Sequence, residues 1–445
     1  MFEKKIIYLC LAHMSEAGLE QKYVKEAFDT NWVVPMGPNV NAFEKELEAF
    51  VNSKSDGSER LNNRVVCLSA GTAAVHLALI ACGVKSGDEV CVQSFTFCAS
   101  SHPITYLGAK PVFIDSEPDT WNMDPTLLEK AIIDRKEKTG VYPKAIIPVA
   151  LYGMPYDCER IMAIADKYGI PVVEDAAEGM GSRFNGQVLG TFGKFGVLSF
   201  NGNKMITTSG GGALICRNDE DANTIMWYAT QARDAYPYYE HTSIGYNYRM
   251  SNVCAGIGRG QMTVLNDHIA HHKHVQEMYK ELMKDVEGVT LHDQPSDARY
   301  DSNFWLCAAT LDPSVRIKGQ ENAYKEVIRT AVGGAAGVIK AVDSATTDCQ
   351  PNENVEALRV FMLGTKVECR PVWKPMHCQP VYRNGAVVSE VSEGLKVSEG
   401  PNMVAYVNGV SESIFKVGFC LPAGPYVSDD DVRYIVDCIK EAIAD

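Results

Sequence analysis

Short apolar runs alternate with longer amphipathic stretches through the first half of the chain. Val65–Leu68, Glu89–Val92, Pro111–Ile114, Ala145–Val149 and Pro171–Glu174 are rich in apolar residues, the pattern of strands buried on both faces. Thr72–Ala81, a stretch from about Cys98, Leu127–Arg135 and Cys158–Tyr168 read as helices between them. This alternation predicts the α/β class, with a mostly parallel central sheet flanked by helices. In such sheets the functional loops leave the carboxyl ends of the strands.

Beyond residue 252 the pattern changes. Val253–Asp285 reads as one long amphipathic helical stretch that bridges two parts of the molecule. A strand at Phe304–Ala309 and a helix near Ala323–Ala331 follow, and a helix over Ser428–Ala444 closes the pattern. Asp56–Asn63 and Asp343–Asn354 are polar and rich in turn formers, so both read as surface loops. The expected division is a large domain over 1–262 and a smaller α/β domain over 263–445.

Composition narrows the function classes. The net charge of −14 argues against nucleic acid or an anionic membrane as partner. No apolar run approaches the ~20 residues needed to span a bilayer. Lys4-Lys5 followed by Ile6–Ala12 resembles a secretion signal only loosely, because the apolar run is short and Glu3 lies in the positive region. The fourteen cysteines are scattered and no Cys-x-x-Cys pair occurs, so buried free thiols in a reducing cytoplasm are expected and no metal site.

Four clusters fall where predicted strands give way to loops. Ser69-Ala70-Gly71-Thr72 lies between a strand and a helix, where free N–H groups either cradle a phosphate or simply start a helix. Glu174-Asp175-Ala176-Ala177-Glu178 ends a buried strand. There Asp175 either pairs with a pyridinium nitrogen or caps the next helix. Asn201-Gly202-Asn203-Lys204 is followed by Gly210-Gly211-Gly212. That lysine is either solvated, as most are, or held inside a site to form a Schiff base, a reading the nearby glycines favour. Gly245-Tyr246-Asn247-Tyr248-Arg249 precedes the long helix and reads as a cap with a surface arginine or as a binding segment. Taken together, a phosphate cradle, a strand-end Asp and a later Lys in a glycine-rich loop are the parts that a pyridoxal-phosphate site requires.

The sequence resembles the DegT/DnrJ/EryC1/StrS sugar aminotransferases, of fold type I. Gly71-Thr72-Ala73, Ser94-Phe95-Thr96-Phe97, Gly108–Asp115, Glu174–Ala177, Asn203-Lys204 and Gly245–Arg249 carry the likeness. Gly190-Thr191-Phe192-Gly193, Thr207–Gly212, Thr230–Arg233 and Arg370–His377 resemble the branch that aminates UDP-4-keto-6-deoxy-N-acetylglucosamine in bacillosamine synthesis. The resemblance implies pyridoxal 5′-phosphate carried by Lys204, with Asp175 on the pyridine nitrogen and Glu178 near the phenolic oxygen. It implies Phe97 on the ring face, and Gly71, Thr72 and Ser199 on the phosphate. Asn247 is expected to reach the phosphate of a neighbouring subunit, which implies a homodimer with shared sites. Arg249, Lys374 and His377 are the expected substrate contacts, with L-glutamate as donor and a UDP-linked keto-sugar as acceptor. Relatives that act as sugar dehydratases typically replace the Schiff-base lysine with His, whereas this chain has Lys204.

Overall fold

The computed structural model describes residues 6–53, 61–325, 349–392 and 394–443. Most of the expected helix near 323–331, most of the expected loop at 56–63 and half of that at 343–354 lie outside the described residues.

Seven strands form the central part of the large sheet. They are β1 (Arg64–Leu68), β2 (Glu89–Gln93), β3 (Lys110–Ile114), β4 (Ile146–Ile147), β5 (Val173–Asp175), β6 (Phe195–Ser199) and β7 (Gly212–Cys216). Their spatial order is β3-β2-β4-β5-β6-β7-β1, with single bridges Ile146–Val172 and Val149–Asp175 joining β4 to β5. Only β7 runs against the others. The expected apolar runs are the buried strands: Val65 to Leu68, Val90 to Val92 and Val112 to Ile114 are all buried. The helices between them follow local signals. Asp124 accepts from Thr126 N and Leu127 N and caps Pro125–Thr139, where Pro125 occupies the first turn.

A second, four-stranded antiparallel sheet contains β8 (Val289–Leu291), β9 (Cys307–Leu311), β10 (Arg370–Pro371) and a strand at Gly418–Leu421. Its core packs Val275, Tyr279 and Met283 from one helix against Leu358, Phe419, Ile435 and Ile439. Between β10 and Gly418–Leu421 the chain returns to the large sheet. Strands β11 (Val387–Ser392), β12 (Leu395–Glu399) and β13 (Val404–Val407) form a meander, and β13 pairs in parallel with β3. The last strand of the small sheet is therefore β14 (Gly418–Leu421). Strands β11 to β13 thus extend the large sheet.

The long helical stretch divides into Asn252–Met262 and Leu265–Met283. Thr263 breaks it: its hydroxyl and its N–H both turn back to the Gly260 carbonyl, a local bond that competes with helix propagation. The stretch expected from Cys98 is likewise a short 3₁₀ turn, Cys98–Ser100, followed by His102–Tyr106. Among the described residues no helix is long and apolar enough to cross a membrane.

Candidate active site

The carboxyl ends of β1, β5 and β6 open on one cavity of about 240 Å³. At the end of β1, Ser69 N donates to Tyr248 O at 2.8 Å, and an extended Ala70 leads into the helix Gly71–Ala81. No side chain caps that helix, so its first N–H groups lack helical partners and the positive end of its dipole faces the cavity. Thr72 on this turn and Ser199 at the end of β6 line the same corner. Gly212 opens β7 beside it, and a Cβ there would meet the Gly71 amide nitrogen and the Ala70 backbone. A glycine at this position is what lets β7 approach the helix start.

The two carboxylates that end β5 do different work. Strand alternation turns Glu174 away from the cavity. It accepts from Gly190 N at 2.9 Å and from Phe192 N and Gly193 N at 2.6 Å each, and so folds the Gly190–Gly193 turn around itself. Asp175 faces the cavity and accepts from Ser100 Oγ at 2.6 Å and Ala177 N at 3.1 Å. Burial pushes its carboxyl above the usual range, while Ser100, Ala177 N and the Lys204 charge pull it back. Glu178 behaves similarly. Burial raises it, and it accepts from Tyr152 N at 2.7 Å and lies 3.3 Å from Lys204 Nζ.

Lys204 projects into this cavity from a turn in which its N–H donates to Asn201 O at 2.9 Å. Its side chain is 13 % exposed and lies over the Trp305 ring, with Nζ 4.0 Å from the centroid. Trp305 Nε1 donates to Asn203 O at 2.7 Å, so one indole pins both the lysine loop and its ammonium. Phe97 lines the same cavity, half exposed, and packs on Trp373 with ring centroids 5.4 Å apart. Trp373 N donates to Tyr152 Oη at 2.8 Å.

Gly71, Thr72, Phe97, Asp175, Glu178, Ser199 and Lys204 all line this one cavity. Lys374 lines a second cavity of about 350 Å³ that shares Thr96, Phe97 and Trp373 with the first. Asn247 is exposed, in a bridge to Thr230, and lies outside both cavities. Two expected substrate contacts are placed elsewhere. Arg249 is buried against Glu44 at 2.7 Å and Cys67 O at 3.1 Å, because a guanidinium beneath β1 needs a buried carboxylate. His377 is 5 % exposed, with Nδ1 on Ser94 Oγ at 2.6 Å and Nε2 on Glu412 at 3.1 Å, so both ring nitrogens are engaged. Arg249→Ala should therefore cost about 3–5 kcal/mol of stability by stranding Glu44. Thermal unfolding checks this: an unchanged midpoint together with a raised KM for substrate would return Arg249 to the site.

Ser100, Tyr152, Trp305 and Trp373 shape the site without having been singled out from the sequence. Trp373 lies inside the segment Arg370–His377, beside the residues that were.

Both the cavity and its donors fit pyridoxal 5′-phosphate: helix N–H groups and hydroxyls for a phosphate, a strand-end carboxylate for a ring nitrogen, and an amine on the same cavity. Comparison with known proteins agrees with that chemistry. The chain is 39 % identical to the Bacillus subtilis protein EpsN, assigned as a pyridoxal phosphate-dependent aminotransferase, across 98 % of this chain and 95 % of the relative. It is 30 % identical to the GDP-perosamine synthase of Escherichia coli O157:H7 over 98 % and 99 % of the two chains. A DegT DnrJ EryC1 StrS aminotransferase structure from Brucella abortus shares the fold at a TM-score of 0.76, with 24 % identity and 96 % of each chain covered. The model of the DegT/DnrJ/EryC1/StrS aminotransferase family matches residues 15–334. The chain belongs to this family and is a pyridoxal-phosphate-dependent aminotransferase.

Proposed function

We propose that this enzyme moves the amino group of L-glutamate to the C4 keto group of a UDP-4-keto-6-deoxy-N-acetylhexosamine, the product being UDP-4-amino-4,6-dideoxy-N-acetylglucosamine. The observation that carries the reading is the single cavity in which Lys204, Asp175 and the Gly71–Thr72 helix start converge. Bound there, pyridoxal phosphate supplies an electron sink for the carbon that gains or loses the amine. Gly71, Thr72 and Ser199 would hold its phosphate, Asp175 its ring nitrogen and Phe97 its ring face. Lys204 Nζ would carry the group. When displaced, it takes the proton from the amine-bearing carbon of glutamate and, in the second half of the reaction, delivers one to C4 of the sugar. Glu178 offsets the charge on Lys204 when that nitrogen is protonated. The neighbouring cavity gives the nucleotide sugar a path past Phe97 and Trp373 to Lys374, whose ammonium suits a diphosphate.

Within the same proposal the active unit is a homodimer in which the exposed Asn247 reaches the partner's site. The enzyme works in the cytoplasm, where its fourteen unpaired thiols remain reduced.

A second acceptor is favoured by one specific observation. The GDP-perosamine synthases of Escherichia coli O157:H7 and Caulobacter vibrioides are 30 % and 32 % identical to this chain, so a GDP-linked keto-sugar competes. Absorbance spectra of the purified enzyme separate the two. Glutamate should bleach the visible cofactor band, and UDP-4-keto-6-deoxy-N-acetylglucosamine should restore it. Restoration by the GDP sugar alone would move the assignment to that substrate, and a band that glutamate leaves unchanged would overturn the donor.

A further inference from the structure

The amino-transfer site leaves one group of chemically capable side chains unused. Cys349 precedes the helix Glu353–Gly364, Cys378 ends the 3₁₀ turn Met376–Cys378, and Glu412 lies in the first turn of the helix Val410–Val417. Far apart in sequence, their two sulfurs and a carboxylate oxygen all lie within 4.8 Å of one another. The thiols are 4 % and 5 % exposed and share a hydrogen bond, whereas Glu412 is 38 % exposed and gives the cluster a way in from solvent.

The surroundings suit a cation held by thiolates. His377 Nε2 meets Glu412 Oε1 at 3.1 Å while Nδ1 is tied to Ser94, so the imidazole orients the carboxylate as an outer-shell histidine orients a metal ligand.

We propose that Cys349, Cys378 and Glu412 bind a divalent cation of the zinc class, with a fourth position left for water. Two sulfurs and an oxygen are a ligand set that zinc accepts in tetrahedral geometry. Zinc–sulfur bonds of about 2.3 Å would place the sulfurs about 3.8 Å apart, within reach of side-chain rotation. Binding releases the thiol protons to solvent as the sulfurs become ligands, and no electron is transferred. Cys378 lies five residues after Trp373, so the cation would clasp the Arg370–Cys378 strap, which carries Lys374, to two other segments of the fold. Its role is to hold that wall of the outer cavity in place.

The test uses the holoenzyme, stripped with a chelator and then titrated with zinc alone or cobalt alone. One equivalent of tightly bound metal per chain is expected. Cobalt should show a sulfur-to-metal charge-transfer band that disappears in Cys378→Ser and Cys349→Ser. Glu412→Gln, on the more exposed side, guards against misfolding of the cysteine variants and should weaken zinc at least tenfold. His377→Gln should weaken zinc by about 10–100-fold through the outer shell. Absence of binding, binding that survives in the double cysteine variant, or a mass two hydrogens lighter that shows a Cys349–Cys378 disulfide would each overturn the proposal.

Discussion

Replacing Lys204 by alanine abolishes amino transfer, with turnover expected to fall by about 10⁴-fold or more. Loss of a positioned base alone costs about 10²–10⁴-fold, and this side chain is also the point of attachment. The fold should survive the change. Trp305 still donates to Asn203 O, and the buried Glu178, no longer facing an ammonium, takes up a proton in response to its burial. Lys204→Arg is the sharper experiment. Arginine keeps a positive charge near Glu178 and the Trp305 face, yet it neither attaches a carbonyl group nor gives up a proton at working pH. Both variants should therefore lose the visible cofactor band and fail in single turnover with glutamate. A small primary amine added to the alanine variant should restore part of the rate. Retention of a substantial fraction of turnover by the arginine variant would sink the assigned role, because charge alone would then be sufficient.

The residues that converge on the one cavity were legible in the sequence because each carries a local signal. Gly71-Thr72, Asp175 with Glu178, and Lys204 each end or follow a strand whose apolar run is visible, and the parallel sheet brings strand ends together. The substrate side was harder, because what decides it is partner choice across the chain. Arg249 reads as a binding cation until Glu44, some two hundred residues earlier, is placed beneath it. His377 reads as a substrate contact until Ser94 and Glu412 take its two nitrogens. Trp305 carries no local signal at all; its value lies in reaching the lysine loop from the strand region beside β9. The division of the helix at Thr263 depends on local bonds back to Gly260 O that periodicity does not register. The return of residues 387–407 to β3 depends on a parallel pairing that joins distant segments. The cluster at Cys349 and Cys378 was hidden for the same reason, since its spacing matches no short motif.

Asp175→Asn should lower kcat by about 10²–10³-fold, the scale on which one preorganised electrostatic partner acts. The substitution is close to isosteric, and the hydrogen bonds from Ser100 Oγ and Ala177 N can persist on a side-chain oxygen. What it removes is the negative charge. The structure invests in that charge: burial opposes it, while two hydrogen bonds and the Lys204 ammonium support it. A cationic ring nitrogen placed against the carboxylate would complete the balance and keep the carboxylate ionised. The expected signature is a kcat that falls while KM for glutamate moves little, because donor binding does not require the charge but the proton step at the amine-bearing carbon does. Ser100→Ala, which leaves the charge and removes one support, should fall between the wild type and Asp175→Asn. Were Asp175→Asn to keep its kcat while Ser100→Ala lost it, the carboxylate would be a scaffold for the Ser100 turn, and the group that stabilises the developing charge would have to be sought at Glu178.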